Sequence, residues 1–436
     1  MALPAVAFAP LVQLLAQTEE PAVDGNDTIP QTKAMAARIK ALVEPAMLVW
    51  ARKTASLTQE EAALALEVPL DRLQAWEKEG NDETPTVNQL KRMSERYKRP
   101  LSVFYLPAPP NDFQPLRDFR RLPGTVDHRF SAQLAYEVRA AYERRQIAIE
   151  VTQTLDQEPV LFGITARQTD DPEQVGRRIR ERLGVSLEQQ GRWRNPNNAF
   201  RGWREAIEQA GVLVFVLSGA HHKIELEEMR GFAIAEQPLP SIVINGRDRS
   251  PGRTFTLMHE LAHVVLGQSA IENELEPGDA IPAPERRIET FCNSVAAAVL
   301  MPAAALLDHP MVVAKYRANA AWSDEEIAAV ARRFGVSRLA LLVRLATLGR
   351  LTQAYVQAKR REYDRQREED ASDEKQAGGF APYQYQVLGH LGRGFTRLVL
   401  QGYNNNRLTL SVTSGYLGVQ AKWVPTIERA AFGAPA

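Results

Sequence analysis

The chain has 436 residues, with 53 Lys and Arg against 53 Asp and Glu, a hydrophobic fraction of 44% and a charged fraction of 24%. That length suggests two or three domains, and the composition excludes global disorder. A formal net charge of zero excludes a protein that coats polyanions or membranes by bulk electrostatics. The single cysteine, Cys292, excludes an intrachain disulfide and a Cys-rich metal cluster, so a metal site must draw mainly on seven histidines and the carboxylates.

The first residues, MALPAVAFAPLVQLLAQ, are apolar but lack a basic leader, the first Lys being Lys33. Residues 1–40 therefore read as a flexible extension, and the cytoplasm is the default location. No apolar run is long enough to span a bilayer. Residues 41–109 read as a compact helical unit. Helical periodicity runs through EPAMLVWARKTA, and Thr58 with Glu61 three residues on forms a capping box before TQEEAALAL. A break at 67–69 leads into a helix that Pro69 opens and Gly80 stops. A further helix follows Pro85 and ends before Pro100, and the prolines of LPAPPNDFQP close the unit.

Residues 110–210 read as a connector of long amphipathic helices. Strands are expected at 212–217, 231–236 and 241–245, with turn residues between them, and helices resume at Thr254. The span 211–351 is thus one α+β domain. The charged run that follows makes 352–381 a solvated helix end and linker, and the apolar content of 382–436 suggests a small accessory domain for partner contacts or dimerisation. The fold class expected is α+β, mostly α, with a small sheet in the third domain.

The sharpest chemical signal is TFTLMHELAHVVLG at 254–267, which holds His259-Glu260-Leu261-Ala262-His263. Residues four apart share a helical face, so both imidazoles can reach one cation. Glu260 sits beside the first His and can lean toward an activated water without being a ligand. The helix is apolar on most sides, hence buried, and a buried helix rarely carries two His and a Glu unless they are paired or bound. Two satisfied core histidines are the competing reading.

A catalytic zinc of this kind needs a third protein ligand. Cys292 and the carboxylates of APERRIETFCNSVAAAVLMP are the candidates. Pro284 predicts a helix over 285–300. Its bulky residues Ile288, Phe291, Val295 and Val299 form one stripe, and Glu289, Cys292, Asn293 and Ala296 form an adjacent stripe of small and polar residues able to face the HELAH helix. Glu289 would then point at the metal, with Glu285 one turn earlier as the runner-up. A solvated helix carboxylate is the rival account of Glu289, and a small core residue that of Cys292.

The segment 212–351 resembles the ImmA/IrrE family of metallopeptidases. The matching pieces are the strands, the RTFTLMHELAHVVLG string starting at Arg253, the string ETFCNSVAAAVLMP and the later run FGVSRLALLVRLATLG. Cys292 stands where the family usually has Ala, and Val295 where it usually has Phe. The resemblance implies a zincin-like fold, zinc bound by His259, His263 and Glu289, and Glu260 as general base. It also implies cleavage of a repressor-type regulatory protein, in stress response or mobile-element control. The two-His, one-Glu set favours Zn2+ over Mn2+.

Residues 44–110 resemble the phage-repressor-type (XRE-like) helix-turn-helix that precedes this peptidase in many relatives. The matching residues run from Leu57-Thr58-Gln59-Glu60-Glu61 through Trp76-Glu77 and Gly80 to Lys98-Arg99-Pro100-Leu101, and Arg117-Asp118-Phe119-Arg120 is similar to a segment that often follows. In that motif the second helix enters the major groove, which makes Gln59, Arg72 and Gln74 the candidate DNA contacts. The surrounding carboxylates, Glu60, Glu61, Glu67, Asp71, Glu77 and Glu79 among them, work against phosphate contact. Two readings stand: specific DNA binding, as an oligomer, or a repurposed module that docks a repressor or positions the protease.

Elsewhere, His221 and His222 read as exposed loop residues, and His128, His309 and His390 as structural. Arg253 reads as a holder of the helix entrance, and the strand at 231–236 as a possible edge for an extended peptide. The favoured function is a zinc-dependent endopeptidase acting on a regulatory protein. The alternative is a metal-sensing transcription regulator without turnover, against which the intact Glu260 weighs.

Overall fold

The computed structural model describes residues 39–80, 83–110, 117–118, 131–193, 195–219, 222–272, 283–318, 321–371 and 381–433. The N-terminal extension, His128, His221, Phe119 and Arg120 lie outside the described residues. The described residues are mostly helical with one small sheet. No helix among the described residues is long and apolar enough to cross a membrane.

The N-terminal unit packs four short helices and a 3-10 turn around Leu48, Ala62, Leu73, Trp76, Leu90 and Phe104. Thr58 caps the helix Gln59–Leu66 through the reciprocal bonds with Glu61 that the spacing predicts. Thr86 and Gln89 repeat the device at Val87–Arg96. Between Gln59–Leu66 and Leu70–Glu77 the chain turns at Glu67, which takes a left-handed conformation (φ 57°). Arg52 grips Glu77 at 2.7 and 2.8 Å, and Gln59 donates to the same carboxylate at 2.9 Å.

Five strands form the sheet in the order β1-β5-β3-β4-β2: β1 Arg117–Asp118, β2 Leu213–Leu217, β3 Gly231–Ile234, β4 Ser241–Asn245 and β5 Ala270–Glu272. β2 runs parallel to β4, while β3 is antiparallel to both β4 and β5. The strand expected to offer an edge, β3, is therefore an interior strand. The short β1 and β5 add to the three strands that the apolar runs suggest.

Every residue of β2, β3 and β4 is buried, because helices cover both faces. The strands read as unbroken apolar runs for that reason. Val214, Val216, Ala233, Ile242 and Ile244 face one core, which contains the HELAH helix Ser250–Leu266 and the helix Ala283–Leu300. Leu213, Phe215, Leu217, Phe232, Ile234 and Val243 face the other. That second core is closed by the long helix Ala132–Thr154 and by the C-terminal helices between Tyr383 and Phe432.

The C-terminal segment thus shares a core with the sheet rather than standing apart as an accessory body. Together with Arg204 of the helix Pro196–Gln209, it also seals the β2 edge. Val214 O accepts from Arg204 Nη2 at 2.5 Å, and Val216 O accepts from His390 Nδ1 at 2.8 Å. The charged run from Lys359 belongs to a helix, Gln353–Ala371, with Val356 and Tyr363 packed into the first core.

Candidate metal centre

The site helix Ser250–Leu266 begins with Pro251 in its first turn and ends at Gly267, whose left-handed φ of 68° suits glycine. Arg253 lies in that first turn, donating to Ser250 Oγ at 2.7 Å and resting over the Phe200 ring, so it fixes the helix entrance. From Thr256 to Val265 every residue is buried between the sheet and the helix Ala283–Leu300.

Within this buried stretch His259, Glu260 and His263 are sealed from solvent. His259 Nε2 stands 3.0 Å from His263 Nε2. Glu289 projects from the neighbouring helix, with Oε2 at 3.2 Å from His259 Nε2 and Oε1 at 3.4 Å from His263 Nε2. All three donors lie within 4.8 Å of one another, and together they could hold a metal ion. Tetrahedral bonds of about 2.0–2.1 Å put donor atoms roughly 3.3 Å apart. The observed separations match that spacing, so the donor set fits a zinc-sized cation.

Protonation agrees with this. Burial pushes the His263 imidazole below its ordinary value, toward the neutral form that binds metal. Burial works to raise the Glu289 carboxyl, but the hydrogen bonds and charges of His259 and His263 outweigh it and hold the group well below the usual carboxylate range. Glu289 keeps 12% of its side chain exposed, which marks the side from which solvent reaches the cluster.

Two further residues shape the site. Asn293, one turn beyond Glu289 on the same helix, holds His259 Nδ1 at 3.0 Å through Oδ1. A proton fixed on Nδ1 leaves Nε2 free as a ligand. Gly231, at the start of β3, lies against Glu260: a Cβ there would come 2.9 Å from Glu260 Oε1 and 2.7 Å from Thr256 Cγ2. Neither role is assigned by the sequence reading. An Asn four residues after the ligand carboxylate is the available signal for the first.

The other candidates fall elsewhere. Cys292 is buried in the first core beside Val295 and Ala296, outside the donor cluster. The side chain of Glu285 lies outside the described residues. His222 is not a plain exposed loop residue, because its Nδ1 meets Glu137 Oε1 at 2.7 Å and its ring stacks on His390. His309 receives Met311 N at 3.3 Å and serves a turn. In the N-terminal unit, Gln74 donates to Gln59 Oε1 at 3.4 Å while Arg72 is exposed.

Residues 207–346 match the family model of the IrrE N-terminal-like domain, Peptidase_M78. The IrrE-like match covers the sheet strands β2 to β5, the site helix and the Glu289 helix. It supports a metallopeptidase-type function, and with it a metal ion and a protein substrate. The N-terminal unit and the C-terminal helices lie outside the match. No curated protein matches the chain.

Proposed function

We propose that the chain is a zinc-dependent endopeptidase with a zincin-like catalytic domain, cleaving a repressor-type regulatory protein in the cytoplasm. The observation that carries the reading is the convergence of His259 Nε2, His263 Nε2 and the Glu289 carboxylate on one point, with Glu260 next in the chain to His259.

A zinc ion held by these three side chains would make a water nucleophilic near neutral pH and polarise the scissile carbonyl. Glu260 would serve as the general base, accepting a proton at its carboxylate and returning it to the leaving amine. Its burial beside Gly231 gives the carboxylate a fixed station on the sheet side of the helix. Asn293 Oδ1, 3.0 Å from His259 Nδ1, would hold the proton there when Nε2 binds the metal. Buried apolar neighbours such as Leu257, Val264 and Phe291 exclude bulk water from the back of the site.

The N-terminal unit is read as a helix-turn-helix that contacts DNA or a DNA-bound repressor through Gln59, Arg72 and Gln74. The pairing of Gln59 with both Gln74 and Glu77 pre-orients that face. A protease carrying such a module would meet its substrate where the substrate works.

The test is co-expression with repressor-type proteins encoded nearby, read as a metal-dependent fragment. Glu260→Gln should retain fold and zinc and abolish the fragment. Full cleavage by that variant would sink the assignment.

A further inference from the structure

Away from the donor cluster, the N-terminal unit, the long helix Ala132–Thr154 and the C-terminal helices meet around a cleft of about 600 Å³. Lys98 and Arg99 line it from the first, Tyr136 and Arg144 from the second, and His390 and Tyr416 from the third. Arg139 ties the first two together by donating to Lys98 O at 3.1 Å.

Two guanidinium groups here are only partly used. Arg144 Nη2 donates to His390 Nε2 at 3.0 Å, and His390 Nδ1 donates to Val216 O, so that ring is neutral with a fixed tautomer. Arg144 Nη1 is buried and meets no hydrogen-bond acceptor among the described residues. The same holds for Arg99 Nε and Nη2, although Arg99 is anchored 4.2 Å over the Trp50 ring. The nearby buried carboxylate, Glu137, turns Oε1 to His222 and Gln133. Glu95 and Glu143 line the cleft but are exposed and form no ion pair with either arginine among the described residues.

Buried N–H groups without acceptors are costly and rare in folded proteins. A guanidinium fork matches the geometry of a carboxylate or phosphate, and the cleft volume falls in the range of small-molecule sites. We propose that this cleft binds a small oxyanion, a carboxylate or phosphate ester, seated between Arg99 and Arg144 with its body against the tyrosine and histidine rings. Burial, with the adjacent Arg139 charge, pulls Arg99 down to about 9, and burial lowers Arg144 even against the raising charges of Glu137 and Glu143. An incoming anion relieves both. A cleft of this size, roofed by the C-terminal helices, admits a small molecule rather than a duplex. Because three separate parts of the chain supply its walls, occupancy fixes the N-terminal unit against the rest of the molecule. The inference stands independently of the peptidase reading.

The test is thermal unfolding of the full chain titrated with inorganic phosphate and, separately, with succinate, at ionic strength held constant with NaCl. A saturable rise in Tm is expected with at least one probe. Phosphate alone would assign a phosphate ester and succinate alone a carboxylate. Arg144→Gln and Arg99→Gln should each weaken the apparent affinity at least tenfold. Arg407→Gln, which removes only an exposed ion pair with Asp156, should leave it unchanged. Should Arg144→Gln fail to fold, Arg99→Gln and Lys98→Gln carry the comparison. A response absent with both probes, or undiminished in the cleft variants, overturns the proposal. So does stabilisation by duplex DNA alone that the cleft variants abolish.

Discussion

Replacing Asn293 by Ala removes the acceptor that faces His259 Nδ1 at 3.0 Å. To offer its Nε2 lone pair to a cation, a neutral His259 must carry its proton on Nδ1. Without metal the imidazole has a second choice, because the proton can sit on Nε2 and be donated to Glu289 Oε2 at 3.2 Å. The substitution therefore penalises the metal-loaded state more than the metal-free one. A buried N–H stripped of its acceptor costs about 1–3 kcal/mol, and such outer partners are typically worth about 10–100-fold in metal affinity. His259 is sealed, but Asn293 is exposed, so water can take the vacated position. The expected loss falls at the low end, about tenfold in Zn2+ affinity or ~1.4 kcal/mol. Competition against a chromophoric chelator measures it on the full chain, with Asn293→Asp as the rescue because a carboxylate accepts from the same N–H. Unchanged zinc affinity in the Ala variant, or an equal loss in the Asp variant, would refute the argument.

Three other perturbations test separate parts of the structure. Gly231→Ala places a methyl group 2.9 Å from Glu260 Oε1, so the carboxylate must move by several tenths of an ångström. Cleavage should fall roughly 10–100-fold while chelator competition reports unchanged zinc affinity. Gly176→Ala would set a Cβ 2.8 Å from Ala298 Cβ and 3.1 Å from the Val299 backbone N, where two helices meet. Denaturant unfolding should show a loss of about 1–3 kcal/mol, and a neutral result would mean the helices have room to part. His390 is held down to about 3, by burial first and then by the charges of Arg144 and His222. The group is depressed relative to its ordinary value of 6.5, so its contribution is intact above that pH and is lost as the pH falls toward the folded value. Between pH 6.5 and about 4 the protein should lose ~3 kcal/mol that a His390→Gln variant does not lose, measured by denaturant melts across pH.

What the sequence made legible was local. The four-residue spacing of His259 and His263 is a statement about one helix, and the placement of Glu289 follows from a stripe on another. The structure brings these three together. The capping box at Thr58 and Glu61 is likewise a four-residue signal. What stayed hidden joins residues far apart. His222 pairs with Glu137 across 85 positions, and His390 reaches Val216 across 174. β1 and β5 are two and three residues long, too short for any periodicity to register. Uniformly apolar strands announce that both faces of a sheet are covered, but not which segments cover them. The C-terminal helices therefore read as a separate body when they are half of a shared core.

That shared core sets the size of the smallest viable fragment. The IrrE-like segment ends at residue 346, while the roof over its sheet comes from Ala132–Thr154 and from helices beyond Tyr383. Cutting the chain at the borders of the match would strip cover from Phe215, Phe232 and Val243 and take the His390 cap from the β2 edge. An uncovered apolar face beside an open strand edge invites pairing between copies. Proteolytic loss of the helices between Tyr383 and Phe432 would then lead to precipitation rather than to a liberated catalytic domain, and their retention becomes the condition for the molecule's persistence.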